Sequence, residues 1–339
     1  MNPVFIALAS TLIISVAIQL YLVAGFVFRL NRWQQPLLHD DLCPQSVVIL
    51  CLRGGDPFLA KCIPHSSWLR ELAIALVPAN VGAATGNRWY MPERCSQGAM
   101  IRYVWNAAAV VQMYWYSIAW GGTLAIKLDS IRKAGLIDRW SRSLCEDTML
   151  RQQLGSIGQK VAFVPSLMMV NREDCSVRSF VPWVRRQLLT AKLYHPIWLA
   201  VAAHGISSAM VLLWGWLFCL TLLIRGELAM AGQVWFAMLA FQTCLTLMIP
   251  WIESSVARML RLRGEETDWQ RDLSWLRFFW SVSATQWVYT WALLSCLFVK
   301  AVDWRGIRYN IAGSWNIKML QYRPFTDEKK PAEVAQQSL

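Results

Sequence analysis

Two short segments of the sequence combine charged side chains in a way that suits group-transfer chemistry. The first contains the adjacent carboxylates Glu146 and Asp147. The second contains the adjacent Arg185 and Arg186, just before a long apolar run. A positioned carboxylate can take a proton from an acceptor hydroxyl, and paired guanidinium groups can neutralise a diphosphate leaving group. Together the two segments suggest transfer from an anionic donor to an acceptor in a membrane.

Each segment also has a simpler interpretation. The stretch from Thr148 to Leu154 is helix-like, and acidic residues in a first helical turn complement the helix macrodipole. The arginines lie in the amphipathic segment Phe180–His195, which suits an interfacial helix whose guanidinium groups contact lipid phosphates. The residue types alone leave these alternatives open.

Composition indicates that membrane segments are among the elements that position these residues. Of the 339 residues, 56% are hydrophobic and 16% are charged, and the mean hydropathy is +0.33. The basic flanks of a membrane protein account for the net charge of +12, so no nucleic-acid partner is expected. The 20 tryptophans fit, because indoles collect at the membrane–water interface. The nine cysteines show no metal-binding or paired spacing and suit a reducing compartment.

The apolar runs divide the chain into four regions. Residues 1–32 are predicted as an uncleaved transmembrane anchor, because Arg29 and Arg32 follow its apolar run. Residues 33–195 form a soluble domain, and residues 196–303 hold three further apolar runs. The third of these, Phe278–Val302, is less apolar and has basic flanks on both sides, so its orientation stays open. Residues 304–339 are a C-terminal segment and tail. The basic residues after the first span predict a multi-pass protein whose soluble domain faces the cytoplasm.

The soluble domain is predicted to be an α/β layer. Gln45–Leu52 and Val161–Val164 are interpreted as buried strands, and Val81–Gly86 as a short strand entering a turn. Ser67–Leu76 and Ile101–Gln112 are predicted helices. Strands that alternate with helices favour an α/β architecture with parallel pairing. The number of strands is small for such a fold.

Six motifs, taken together and in order, resemble one family. They are Leu52-Arg53-Gly54-Gly55-Asp56-Pro57, Pro64-His65-Ser66-Ser67-Trp68-Leu69, Thr85-Gly86-Asn87-Arg88, Gly121-Gly122-Thr123, Cys145-Glu146-Asp147 and Trp304-Arg305-Gly306-Ile307-Arg308-Tyr309. From the first span to Tyr309, the chain resembles the membrane-bound ceramide glucosyltransferase-like branch of the family 2 (or family 21 type) glycosyltransferases. The resemblance implies a cytoplasmic nucleotide-sugar-binding α/β domain of the GT-A type, a lipid acceptor and inverting transfer.

The resemblance also implies roles for individual residues. Asp147 would be the catalytic base. The donor-binding residues would be Arg53, Gly54, Asp56, Arg185 and Arg186. The acceptor-binding residues would be Gly121, Gly122, Thr123 and Glu146. The arginine-rich motif of the family normally ends in Arg-Trp, whereas this chain has Leu188-Leu189 at that place.

The chain departs from the family where a metal site is expected. Relatives are expected to use Mg²⁺ or Mn²⁺ held by an Asp-x-Asp type motif, but no Asp-x-Asp occurs in this sequence. Lys61-Cys62-Ile63 runs straight into Pro64, and no carboxylate lies between Asp56 and Glu71. A cation on a diphosphate needs oxygen ligands close together. We therefore expect an incomplete GT-A-like domain, no recognisable cofactor or metal ligand, and impaired transfer.

Two alternatives remain open at this point. One is a catalytically inactive membrane scaffold or truncated gene product of the same family. The other is a basic membrane-surface or transport protein without a nucleotide site, which would not require the ordered motifs.

Overall fold

The computed structural model describes residues 2–33, 67–268, 273–304 and 306–322 as helices, two small sheets and their connections. In chain order the elements are α1 (Pro3–Asn31), α2 (Ser67–Leu76), β1 (Val81–Tyr90), α3 (Gln97–Tyr116), β2 (Leu124–Ile126), α4 (Leu128–Lys133), α5 (Leu136–Trp140), α6 (Leu150–Gly155), β3 (Lys160–Asn171), α7 (Val177–Tyr194), α8 (Trp198–Ile224), α9 (Leu228–Leu262), α10 (Trp275–Cys296), β4 (Ala301–Trp304), β5 (Ile307–Ile311) and β6 (Ile317–Tyr322). The predicted strand Gln45–Leu52 lies outside the described residues.

Three of these helices, α1, α8 and α9, are long and apolar enough to cross a membrane. They pack side by side through a cluster of apolar residues that includes Leu12, Leu222 and Val234. Helix α8 runs antiparallel to α1, because Gln19 of α1 contacts His204 near the start of α8, whereas the earlier Leu12 packs with Leu222 near its end. It also runs antiparallel to α9, to which a short turn connects it. At the other end of the bundle, Arg258 donates a 2.8 Å hydrogen bond to the Asn31 carbonyl. This contact brings the basic ends of α1 and α9 together.

The fourth predicted membrane segment differs from the expected Phe278–Val302. Helix α10 spans Trp275–Cys296, and the chain then enters strand β4 at Ala301. Among the described helices, α10 is not one of those that are long and apolar enough to span a bilayer. Instead α10 packs against α3, α7 and α8. It therefore lies between the candidate membrane helix α8 and the helices α3 and α7.

The larger sheet is mixed rather than wholly parallel. Its order is β2-β1-β3, with β1 antiparallel to β2 and parallel to β3. The predicted turn at Gly86 is wrong, because β1 continues through it to Tyr90. Gly86 instead marks an irregular register where the Leu167 carbonyl comes so close that a Cβ would overlap it. Likewise β3 passes through Pro165 at the same irregularity, where a residue without an N–H donor is tolerated.

The C-terminal segment folds as a second sheet, which the sequence analysis did not predict. Strands β4, β5 and β6 form an antiparallel meander, and Gly306 between the first two has a positive φ of 73°. The sheet packs on helix α7 through Trp315, whose ring lies 5.2 Å from that of Tyr194. The tail beyond Tyr322 lies outside the described residues.

A buried carboxylate ties a membrane helix to the larger sheet. Glu253 of α9 accepts hydrogen bonds from Trp89 Nε1 at 2.6 Å and from the Tyr103 hydroxyl at 2.9 Å. Side chains alternate along a strand, so Trp89 points into this core and its neighbour Arg88 points to the other side. The tie thereby fixes the face that β1 presents to the candidate site.

Candidate functional site

The Asp147 carboxylate is held in place by three hydrogen bonds. Oδ1 accepts from the Thr148 backbone N–H at 2.6 Å and from the Thr148 hydroxyl at 2.9 Å. Oδ2 accepts from the Gly121 N–H at 2.8 Å. A carboxylate offers about four acceptor positions, so about one remains, on Oδ2. Asp147 lies just before α6 and not inside its first turn, so the macrodipole does not by itself explain this carboxylate.

Glu146 lies beside Asp147 at the exposed mouth of the site. A Cβ at Gly121 would overlap Glu146 Oε1 and lie 3.3 Å from Asp147 Oδ2. The glycine therefore lets the chain approach both carboxylates. Partial desolvation, followed by the charge of Asp147, raises the pKa of Glu146. A carboxyl group whose pKa is raised is suited to hold a proton and act as an acid.

The turn before β2 is positioned by Thr85 of β1. The Thr85 hydroxyl accepts from the Trp120 N–H at 2.9 Å and donates to the Thr123 carbonyl at 3.0 Å. Gly122 has no room for a side chain, because a Cβ would overlap the Trp120 ring. Thr123 is buried, and its hydroxyl contacts the Met169 sulfur at 2.9 Å. Of the predicted acceptor-binding residues, Gly121 and Glu146 meet Asp147, whereas the Thr123 side chain points away.

A cavity of about 440 Å³ begins at Asp147 and extends between the apolar helices. Trp120, Trp183 and Gln187 line it near the carboxylate, and its far part is lined by residues of α1, α8 and α9. Trp183 and Gln187 lie four residues apart on α7, which places them on one face of the helix. A cavity that is mostly apolar with a few polar groups suits a ligand with a long apolar part.

One polar cluster lies in the part of this cavity formed by the membrane helices. His204 of α8 contacts the Gln19 amide of α1 at 2.5 Å and the Gln112 amide of α3 at 2.9 Å. All three side chains line the cavity. Polar groups at membrane depth are costly and concentrate at functional sites or helix contacts. This cluster joins three helices around the cavity.

The predicted arginine pair lies elsewhere. Arg185 is exposed on α7, and the guanidinium of Arg186 lies 4.8 Å from the Trp304 ring of the second sheet. Neither residue lines the cavity at Asp147. The other predicted donor-binding residues, Arg53, Gly54 and Asp56, lie outside the described residues.

Arg88 is the cation that does line the cavity, and the sequence analysis assigned it no role. Its guanidinium carbon lies 5.1 Å from the Tyr90 ring, 5.4 Å from the Trp120 ring and 4.9 Å from the Trp183 ring. Burial lowers the pKa of Arg88 from its usual value. The alternation of β1 around Trp89 is the sequence signal that places Arg88 on the cavity side. The helical spacing of Trp183 and Gln187 is the corresponding signal in α7.

The described residues contain no group of three His, Cys, Asp or Glu side chains arranged for a metal ion. Glu146 and Asp147 make a pair rather than such a group.

Fold and site define a membrane protein with a mixed helix–sheet domain, whose Asp147 carboxylate lines a cavity between candidate membrane helices. No protein-family model matches the sequence, and no curated protein is detectably similar to it.

Proposed function

We propose that this chain is a multi-pass membrane glycosyltransferase of the ceramide glucosyltransferase-like type. It would transfer a sugar from a nucleotide-sugar to a lipid hydroxyl, with a turnover impaired by the missing acidic motif. The observation that carries the proposal is the position of Asp147. Its carboxylate has an acceptor position left on Oδ2 and lies at the polar end of a cavity that extends between candidate membrane helices.

The roles of the residues follow from this geometry. The lipid hydroxyl would lie at Asp147 while its apolar chains occupy the far part of the cavity. The hydroxyl oxygen forms a bond to the sugar carbon as the bond from that carbon to the phosphate oxygen breaks. The nucleoside diphosphate leaves with the electron pair, and the hydroxyl proton passes to Asp147. The Gly121 N–H orients Oδ2 for that transfer.

The incomplete GT-A-like character of the domain belongs to the same proposal. Arg53, Gly54, Asp56, Arg185 and Arg186 remain the predicted donor-binding residues. The mixed domain is proposed to face the cytoplasm, because the basic ends of α1 and α9 gather on its side of the bundle. Arg263, in the same basic end, donates hydrogen bonds to the Ser166 and Met168 carbonyls of β3 at 2.5 and 2.7 Å.

A catalytically inactive membrane scaffold is the second candidate. The specific observation that favours it is the sequence itself, which has no Asp-x-Asp and no carboxylate between Asp56 and Glu71. A metal on the diphosphate is worth several kcal/mol to such a transition state. A scaffold of this kind would still hold a lipid in the cavity, but it would not transfer sugar.

The test is lipid glycosylation by the purified chain in vesicles. Radiolabelled UDP-sugars are offered with ceramide or diacylglycerol, with and without Mg²⁺ or Mn²⁺. We expect slow transfer that Asp147→Asn lowers by about 10²–10⁴-fold without changing membrane insertion. Arg142→Gln is the matched control, because Arg142 is exposed and does not line the cavity. Absence of transfer under all conditions, with lipid still bound, would favour the scaffold.

A further inference from the structure

The guanidinium of Arg88 lies among three aromatic rings. Tyr90, Trp120 and Trp183 each have a ring centroid within 5.4 Å of the guanidinium carbon. Aromatic faces attract a cation, but they do not replace the hydrogen bonds that its five N–H groups can make. The three rings stabilise the charge and hold the guanidinium in position.

Hydrogen-bonding capacity of Arg88 remains unused. Its Nε is completely buried and has no hydrogen-bond partner. Across the described residues, no carboxylate forms an ion pair with Arg88. Arg102 shares this feature in part, because its Nε is also buried without a hydrogen-bond partner. Arg263, by contrast, pairs with Glu265 and also donates to two carbonyls. A buried donor without a partner is costly, and a bound ligand is one explanation for it.

The position of Arg88 links it to the carboxylate site. Arg88, Trp120 and Asp147 line the same cavity. The Trp120 ring contacts Arg88, and the next residue, Gly121, holds Asp147 through its N–H. Gln187 also lines the cavity, and its amide is a neutral donor. Among the described residues, the carboxylate whose charge acts on Arg88 is Glu173, whereas Asp147 shares the cavity with Arg88.

We propose that Arg88, held in the cage of Tyr90, Trp120 and Trp183, binds a phosphate group of a ligand in this cavity. A planar guanidinium suits phosphate because two N–H groups can donate to two oxygens. The phosphate has two possible sources, a nucleoside diphosphate or the head group of an anionic lipid. The inference rests on the proposed function for the nature of the ligand, but phosphate binding at Arg88 does not require sugar transfer.

The test measures binding to the full-length protein in lipid nanodiscs. One arm uses UDP as the probe, and the other compares phosphatidic acid with diacylglycerol, which lacks the phosphate. We expect Arg88→Gln to weaken binding of the phosphate-bearing probe by about 10–100-fold. Arg88→Lys, which keeps the charge but loses the fork, should weaken it less. Arg142→Gln, which removes an exposed arginine, should leave the affinity unchanged.

The arm that responds identifies the source of the phosphate. Unchanged affinity in Arg88→Gln, or no binding of UDP and no preference for phosphatidic acid by the wild-type chain, would overturn the proposal. A second measurement covers variants that fail to fold. In the wild-type chain, the bound probe should protect Arg88, but not Arg142, from an arginine-specific dicarbonyl reagent read by mass spectrometry. Equal modification of Arg88 with and without the probe would also overturn it.

These results are separable from a failure of the proposed function. Phosphate binding that depends on Arg88, without any sugar transfer, would refute the glycosyltransferase proposal alone. Sugar transfer with no effect of Arg88→Gln on affinity would refute the inference about Arg88 alone.

Discussion

The hydrogen bond from Tyr103 of α3 to Glu253 of α9 should contribute measurably to the stability of the protein. Tyr103→Phe removes one hydroxyl and keeps the ring, so it deletes the 2.9 Å bond to Glu253 Oε2 with little change in packing. Tyr103 is 2% exposed and Glu253 is 6% exposed, so water cannot readily replace the lost donor. Removing one partner of a buried hydrogen bond costs about 1–3 kcal/mol, because the remaining group loses its partner without gaining water.

We therefore expect Tyr103→Phe to lower the free energy of unfolding by about 1–3 kcal/mol. The assay is unfolding in mixed detergent, followed by tryptophan fluorescence. Tyr114→Phe is the matched control on the same helix, because the Tyr114 ring packs against Phe26 and its hydroxyl has no hydrogen-bond partner among the described residues. In a double-mutant cycle with Glu253→Leu, the two changes should be strongly non-additive.

The refuting result is equal stability of the two Tyr→Phe variants to within about 0.5 kcal/mol. Additive losses in the cycle would have the same meaning. Either outcome would show that apolar packing, and not the hydrogen bond from Tyr103 to Glu253, holds α3 on α9.

Three further predictions concern the site and its surroundings. Gly121→Ala should displace the Glu146 carboxylate by about 1 Å and lower the rate of sugar transfer by up to about 10²-fold. Gly155→Ala is the control, because an added Cβ there would have nothing within 4 Å. Equal rates for the two variants would show that the close approach of Gly121 to the carboxylates is unimportant. Burial, and secondarily the charge of Arg151, lowers the pKa of His195 from 6.5 to about 4. The unfolded chain then binds a proton first as the pH falls, so stability should decrease from pH 6.5 towards pH 4 by up to about 3 kcal/mol; a His195→Gln variant with the same pH slope would contradict this. Ser141→Cys places a thiol at an exposed position, in a background without the native accessible cysteines. Because the domain is proposed to face the cytoplasm, an impermeant thiol reagent should not label this cysteine in intact cells. Strong labelling from outside would place the domain on the other face of the membrane.

Part of this architecture follows directly from the sequence. The uncharged runs at α1, α8 and α9 have the length and composition of spans, so their helical structure needs no tertiary information. The helix Ser67–Leu76 was predicted at its observed bounds. The pairing of Glu146 with Asp147 is fixed by adjacency, and Gly121 is recognisable as part of a turn. Such features are local, because they depend on neighbouring residues and on the length of an apolar run.

Only the tertiary structure decided which residues line the same cavity as Asp147. The sequence favoured Arg185 and Arg186, but the direction of α7 turns them towards solvent and Trp304, while Trp183 faces the cavity. Arg88 reaches the cavity because Glu253 fixes Trp89 on the opposite face of β1.

The two sheets differ from the sequence predictions for the same reason, because contacts between distant segments shape them. Glycine and proline usually end strands, yet β1 continues through Gly86 and β3 through Pro165. The pairing of the two strands is irregular at this place. Gly86, which has no Cβ, leaves room for the Leu167 carbonyl, and Pro165, which has no N–H, lies where the ladder is interrupted. The second sheet depends on packing against α7, far away in the sequence. These outcomes depend on contacts between distant segments, and sequence patterns over a few residues do not contain that information.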